Sequence, residues 1–75
     1  MPVRKLSYRE IAADLTERIA RGEYAAGALL PSYAELADLY GVSVSTSSRA
    51  YALLTDRGTV KSVVGRGMYV PEADD

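Results

Sequence analysis

Seventy-five residues, 48% hydrophobic and 25% charged, make one small globular domain with no room for a second one holding a metabolite pocket. Histidine and cysteine are both absent, so the usual nucleophile–base pairs and zinc sites cannot be assembled; neither an enzyme nor a cofactor is expected, and a cytosolic setting fits. No apolar run approaches the roughly 20 residues that span a bilayer, and MPVRKLSYRE lacks the apolar core of a signal peptide.

The first helix is announced by Ser7 and Glu10, spaced as a capping box, with Leu6 and Ile11 placed as a hydrophobic staple. Tyr8, Ile11, Leu15 and Ile19 recur at helical spacing and form its inner stripe. Asp14–Arg18 and Glu17–Arg21 are acid-first i,i+4 pairs on the solvated side, and Gly22 ends the element. Ala28-Leu29-Leu30 then suits a short edge strand.

Pro31 to Leu54 reads as two helices joined by a tight turn. Ser32 and Glu35 make a second capping box, while Leu36, Ala37 and Tyr40 supply the apolar side. Gly41 closes that helix, and Ser43 caps a third running to about Arg57. Helix, short glycine turn and helix is the helix-turn-helix pattern, whose second helix enters the DNA major groove. Gly58 separates it from two strand-like runs, Thr59–Val63 and Met68–Val70, around the turn signal Val64-Gly65-Arg66-Gly67. The expected fold is therefore α+β, a small winged helix with three helices, a short edge strand and a C-terminal β-hairpin wing. It occupies residues 1–71, leaving 72–75 as a disordered acidic tail.

The formal net charge of −1 conceals an uneven distribution. Residues 1–71 carry nine basic and seven acidic groups, and residues 43–70 carry Arg49, Arg57, Lys61 and Arg66 against Asp56 alone. A helical projection places Thr46, Ala50, Leu53 and Leu54 on the core side of the third helix. Val44, Ser45, Ser48, Arg49 and Ala52 gather opposite as the DNA face. Ser45 and Ser48 can donate to phosphates or base edges, Val44 can meet a thymine methyl, and Arg49 can reach a phosphate or a guanine. At the wing, Gly65 and Gly67 permit close approach, and Arg66 offers charge to phosphates or a narrow minor groove. The full set of DNA-contacting candidates is Ser32, Tyr33, Ser43, Val44, Ser45, Thr46, Ser48, Arg49, Gly65, Arg66 and Gly67.

The segments YREIAADLTERIARGEYAAGALLPS, AELADLYGVS, RAYALLTDRG and VGRGMYV together resemble the N-terminal winged-helix domain of the GntR family of bacterial transcription regulators. The resemblance runs from Tyr8 to Val70. It implies double-stranded DNA as partner and a homodimer on an inverted-repeat operator, usually acting as a repressor. It also implies a C-terminal effector-binding and dimerisation domain that has no counterpart in these residues, so this chain is expected to be monomeric in solution and to pair on DNA. The family commonly has arginines where this chain has Ala34, Val44 and Ser48, so the resemblance does not carry over the family's usual operator sequence. Those losses also support an alternative of another class: a winged helix that docks a protein through its hydroxyl-rich helix or through exposed tyrosines such as Tyr33 and Tyr51.

Overall fold

Three serines set where the helices start. In the computed structural model, which describes residues 6–72, the elements are α1 (Tyr8–Ala20), α2 (Tyr33–Tyr40), α3 (Val44–Asp56), β1 (Lys61–Val63) and β2 (Gly67–Tyr69). Ser7 and Ser32 each accept a hydrogen bond from the backbone N–H three residues on, at 3.2 and 3.1 Å. Glu10 and Glu35 reciprocate by accepting from the serine N–H at 2.8 Å, completing both boxes. Ser43 caps α3 by accepting from the Thr46 N–H at 3.1 Å. With Thr46 rather than a glutamate at the third position, no reciprocal bond is made; its hydroxyl meets Ser43 Oγ instead, at 3.0 Å. Gly41 ends α2 at φ 66°, ψ 37°, the left-handed conformation that lets the Val42 N–H reach back to the Ala37 carbonyl at 2.9 Å.

The helices enclose a core of Ile11, Ala12 and Leu15 from α1, Leu36 from α2, and Ala50, Tyr51 and Leu54 from α3. Leu30, Val60, Met68 and Val70 close it from the hairpin side. Along α1 the expected stripe is buried at its centre, Ile11 and Leu15, while Tyr8 and Ile19 at its ends are only half-buried. In α3 the inner line is Ser47, Ala50, Tyr51 and Leu54, turned from the one expected. Thr46 and Leu53, expected in the core, are half-buried. The rotation follows from α3 being wedged between two helices, so that its α2-facing side is covered as fully as its α1-facing side.

That rotation corrects the reading of Tyr51 as an exposed docking residue. Tyr51 is wholly buried. Its hydroxyl donates to the Pro31 carbonyl at 2.6 Å, and its ring lies 5.7 Å from that of Tyr33. A tyrosine tolerates full burial when its polar tip is satisfied in this way. Burial in turn holds its phenol well above the usual range. Ser47 is also fully buried, its hydroxyl directed to the Tyr33 carbonyl at 2.6 Å. These two bonds fix the start of α2 against the flank of α3, and so fix the helix-turn-helix angle.

β1 and β2 pair antiparallel, Lys61 with Tyr69, Ser62 with Met68 and Val63 with Gly67. Ala28-Leu29-Leu30 lies along the other edge of β2, as expected, but as a single bridge, Leu29 with Tyr69, rather than a strand. The Leu30 N–H donates to Met68 at 2.7 Å, and Gly27 and Val70 bond on either side. Pro31 stops the pairing there, since it has no N–H to continue a ladder. Of the acidic tail expected over 72–75, residues 73–75 lie outside the described residues. Glu72 is exposed.

At the opposite end, Asp14 joins α1 to α2. The Tyr40 hydroxyl donates to Asp14 Oδ2 at 2.6 Å, and Arg18 Nε donates to the same oxygen at 2.9 Å. The Arg18 guanidinium also lies over the Tyr40 ring, 5.6 Å from its centre. Those two donors hold the Asp14 carboxyl below its ordinary value. Burial, with the Asp14 bond, raises the Tyr40 phenol above its own. Arg21, expected to pair with Glu17, reaches Glu23 at 3.1 Å.

Candidate nucleic-acid interface

The outward side of α3 is small, polar and uncovered. Val44 is 50% exposed at its first turn, with Ser45, Arg49 and Ala52 exposed along it and Ser48 half-buried. Ser43 and Thr46 sit beside Val44 but spend hydroxyl capacity on each other and on the cap. Each still retains acceptor capacity for a partner. The first backbone N–H groups of α2 and α3 precede any intrahelical carbonyl, so both helix starts present donors that suit an anion.

Two flanks border this side. On one, the start of α2 meets the wing: Ser32, Tyr33, Ser62, Val64, Arg66 and Gly67 line a shared hollow of about 370 Å³. Gly65 and Gly67 hold φ of 78° and 112°, backbone that a side chain would strain, and so turn the hairpin at Arg66. The Arg66 N–H closes that turn on the Val63 carbonyl at 2.9 Å. On the other flank, Arg49 leans away from the wing onto α1, its guanidinium 4.9 Å from the Tyr8 ring centre.

The structure thus gathers Ser32, Tyr33 and the Gly65-Arg66-Gly67 turn into one cluster, and Ser43 to Ser48 into a second at the head of α3. Arg49 stands apart from both. Residues absent from the sequence reading also border the face. Ser62 enters the wing hollow beside Val63 and its strand partner Met68. Val64 is 99% exposed at the wing tip. Tyr8 contributes through a contact distant in sequence, for which no local signal exists.

Charge follows the same geometry. Among the described residues, Arg18 and Arg21 are tied to Asp14 and Glu23 at the far end of α1. Arg9, Arg49, Lys61 and Arg66 form no ion pair among the described residues. No helix among them is long and apolar enough to cross a membrane.

Comparison with known proteins agrees with the winged-helix fold. The chain matches the family described as bacterial regulatory proteins, gntR family, over residues 7–70. Over 65 residues it is 40% identical to the mannosyl-D-glycerate transport/metabolism system repressor MngR of Escherichia coli K12, aligning 87% of this chain with 27% of that protein. Its fold superimposes on a GntR family transcriptional regulator from Listeria monocytogenes with a TM-score of 0.86 and 34% identity, covering 97% of this chain and 64% of that one. It also superimposes on the AraR DNA-binding domain solved in complex with operator ORR3, with a TM-score of 0.79 and 27% identity, covering 93% and 82%. Because the family match takes in all five elements and the relatives are transcription regulators, the chain belongs to the GntR family of bacterial regulatory proteins, with its helix-turn-helix domain in residues 7–70.

Proposed function

We propose that this chain binds double-stranded DNA sequence-specifically as the operator-reading part of a transcriptional repressor, two copies occupying an inverted repeat. The observation that carries the reading is the uncovered α3 face, bordered on one flank by the α2 start and the wing. In winged-helix geometry that face enters the major groove, and the flanking helix start and wing meet the backbone and the minor groove. Val44, Ser45 and Ser48 then read base edges. Ser32, Ser43 and Thr46 hold phosphates with the helix-start N–H groups, beside Tyr33. Gly65 and Gly67 bring Arg66 close to the backbone or minor groove, and Arg49 supplies a further cation.

The domain proposed for this task is residues 1–71, with 72–75 outside it. The repressor role of MngR and the operator complex of the AraR domain support this proposal. The protein-docking alternative loses one of its two tyrosines, because Tyr51 is in the core.

Selection of bound fragments from random duplex DNA tests the reading. Enrichment of a two-fold symmetric motif, with half-sites about one helical turn apart or less, is the expected result. Recovery of unenriched sequence, or of a single asymmetric site, would overturn specific or symmetric binding respectively.

A further inference from the structure

Tyr8, the first residue of α1, carries two arginines on one ring. Arg49 from α3 lies 4.9 Å from its centre and Arg9 from α1 itself lies 5.5 Å away. Both arginines are exposed, and neither forms an ion pair among the described residues. The acidic groups nearby are otherwise placed. Glu10 is committed to the Ser7 cap, and Asp56, which lines the same hollow as Tyr8 and Arg49, makes no ion pair with Arg49. Two like charges gathered on one ring repel each other, and the ring face offsets that only partly. An anion between or beside them would remove the repulsion.

The location decides which anion. Ala52 on the outer side of α3 lines two hollows, one toward Ser62 and Met68 of the wing, the other toward Tyr8 and Arg49. The wing and the Tyr8 cluster therefore border the same α3 face on opposite flanks. A major groove that receives this face has a sugar–phosphate strand along each edge. The wing side has Arg66 for one of them. We propose that Arg9 and Arg49, held by Tyr8, form a phosphate contact that grips the strand on the α1 flank of the groove. This inference rests on the DNA-binding reading above. It assigns Arg49 to the backbone and away from guanine, with Tyr8 as a positioning residue that keeps the guanidinium at the groove edge. It also explains how a chain with Val44 and Ser48 at the centre of its groove-facing side retains electrostatic purchase on DNA: the cations stand at the edges.

The test measures log affinity against log salt for a selected duplex, with base preference read over a randomised site. The proteins compared are wild type, Arg9→Ala, Arg49→Ala, Arg49→Lys and Tyr8→Leu, each checked by circular dichroism for the native helical signal. Each arginine-to-alanine change should make the slope shallower by about 0.9, the loss of one phosphate contact, with base preference unchanged. Arg49→Lys keeps the charge and should keep the slope, which a bidentate guanine contact would not survive. Tyr8→Leu removes the ring face that holds both guanidinium groups and should lower affinity with base preference unchanged. Wild-type binding with unaltered slopes in both alanine variants overturns this inference alone. So does a change of preferred base in Arg49→Ala, or wild-type affinity in a folded Tyr8→Leu variant. A wild-type chain that binds no duplex at any salt overturns the DNA-binding reading as well.

Discussion

Replacing Tyr51 by phenylalanine isolates one of the two contacts that set the angle of the helix-turn-helix. The ring stays, so its burial and its packing against Tyr33 are retained, and only the hydroxyl on the Pro31 carbonyl is lost. That bond is 2.6 Å long and ties the middle of α3 to the residue just before the Ser32 cap. Among the described residues the Pro31 carbonyl takes no other hydrogen bond. Deletion therefore removes a bond with a net value of about 1 kcal/mol and leaves an acceptor in a half-covered position, for a total of about 1.5 kcal/mol. In a domain of this size each kcal/mol moves the midpoint of thermal unfolding by about 4–8 °C, so Tyr51→Phe should lower it by about 6–12 °C.

Thermal unfolding followed by circular dichroism, at neutral and at alkaline pH, is the assay. Burial raises the Tyr51 phenol above its ordinary value of 10.0, so the folded state favours the protonated form. Stability from this group is complete below that unfolded value and is lost as pH climbs through the higher folded one. The gap between wild type and Tyr51→Phe should accordingly narrow above about pH 10, with Tyr40 still contributing its own alkaline loss in both proteins. A midpoint within about 2 °C of wild type at neutral pH would refute the reasoning, because it would mean that water satisfies the Pro31 carbonyl as well as the tyrosine does.

Three further outcomes follow from the same structure. Asp14→Asn should flatten the acid limb of stability. The Asp14 carboxyl is held below its ordinary value, mainly by the Tyr40 hydroxyl, so its contribution is present above the unfolded value and disappears as pH falls through the folded one; unfolding midpoints between about pH 2 and 6 show it. Gly41→Ala should cost about 1 kcal/mol from its left-handed backbone alone, since a Cβ there meets no heavy atom within 4 Å, and Gly41→Asn should cost less by the same denaturation measurement. Arg66→Ala should weaken binding to all duplexes alike, whereas Ser48→Arg should raise affinity and move preference toward guanine-containing sites in a randomised-site profile; a Ser48→Arg variant unchanged in both would place that face outside the major groove.

The helix starts were legible because their causes are local. A serine and a glutamate three residues apart contain the whole capping box, so Ser7 and Ser32 could be placed before any fold was known. Gly41 and the Gly65-Arg66-Gly67 turn were legible for the same reason, since the backbone conformation they permit is written in the residue itself. The face of α3 was less accessible. Helical periodicity gives the angular positions of Thr46, Ser47 and Tyr51 but not where the neighbouring helices lie around them. Tyr51 carries a hydroxyl and reads as solvent-facing, and Ser47 is assigned to neither side, until the Pro31 and Tyr33 carbonyls at the start of α2 arrive to satisfy them. The Tyr8–Arg49 stack was beyond sequence reading altogether, because it exists only once α1 has packed on α3.

The substitutions that separate this chain from its family's usual pattern sit in one region. Ala34, Val44 and Ser48 stand where arginines are common, two of them at the head of α3 and one in the first turn of α2. Three fewer cations on a surface that faces DNA in the proposed reading weaken its attraction for phosphate, and each lost arginine–guanine pair gives up about 1–3 kcal/mol of discrimination. What remains is arranged differently. Lys61 and Arg66 lie on the hairpin, Arg9 and Arg49 around Tyr8 and Arg57 at the C-terminal end of α3, and none of the five is tied up in an ion pair among the described residues. On the reading proposed above, backbone attraction then comes from the rims of the groove and base choice from short side chains at its floor, Val44, Ser45 and Ser48. A methyl-bearing and hydroxyl-bearing floor favours thymine methyls and adaptable acceptors over guanine, so the selected operator should be richer in A·T than one read by the arginine-bearing pattern of the family.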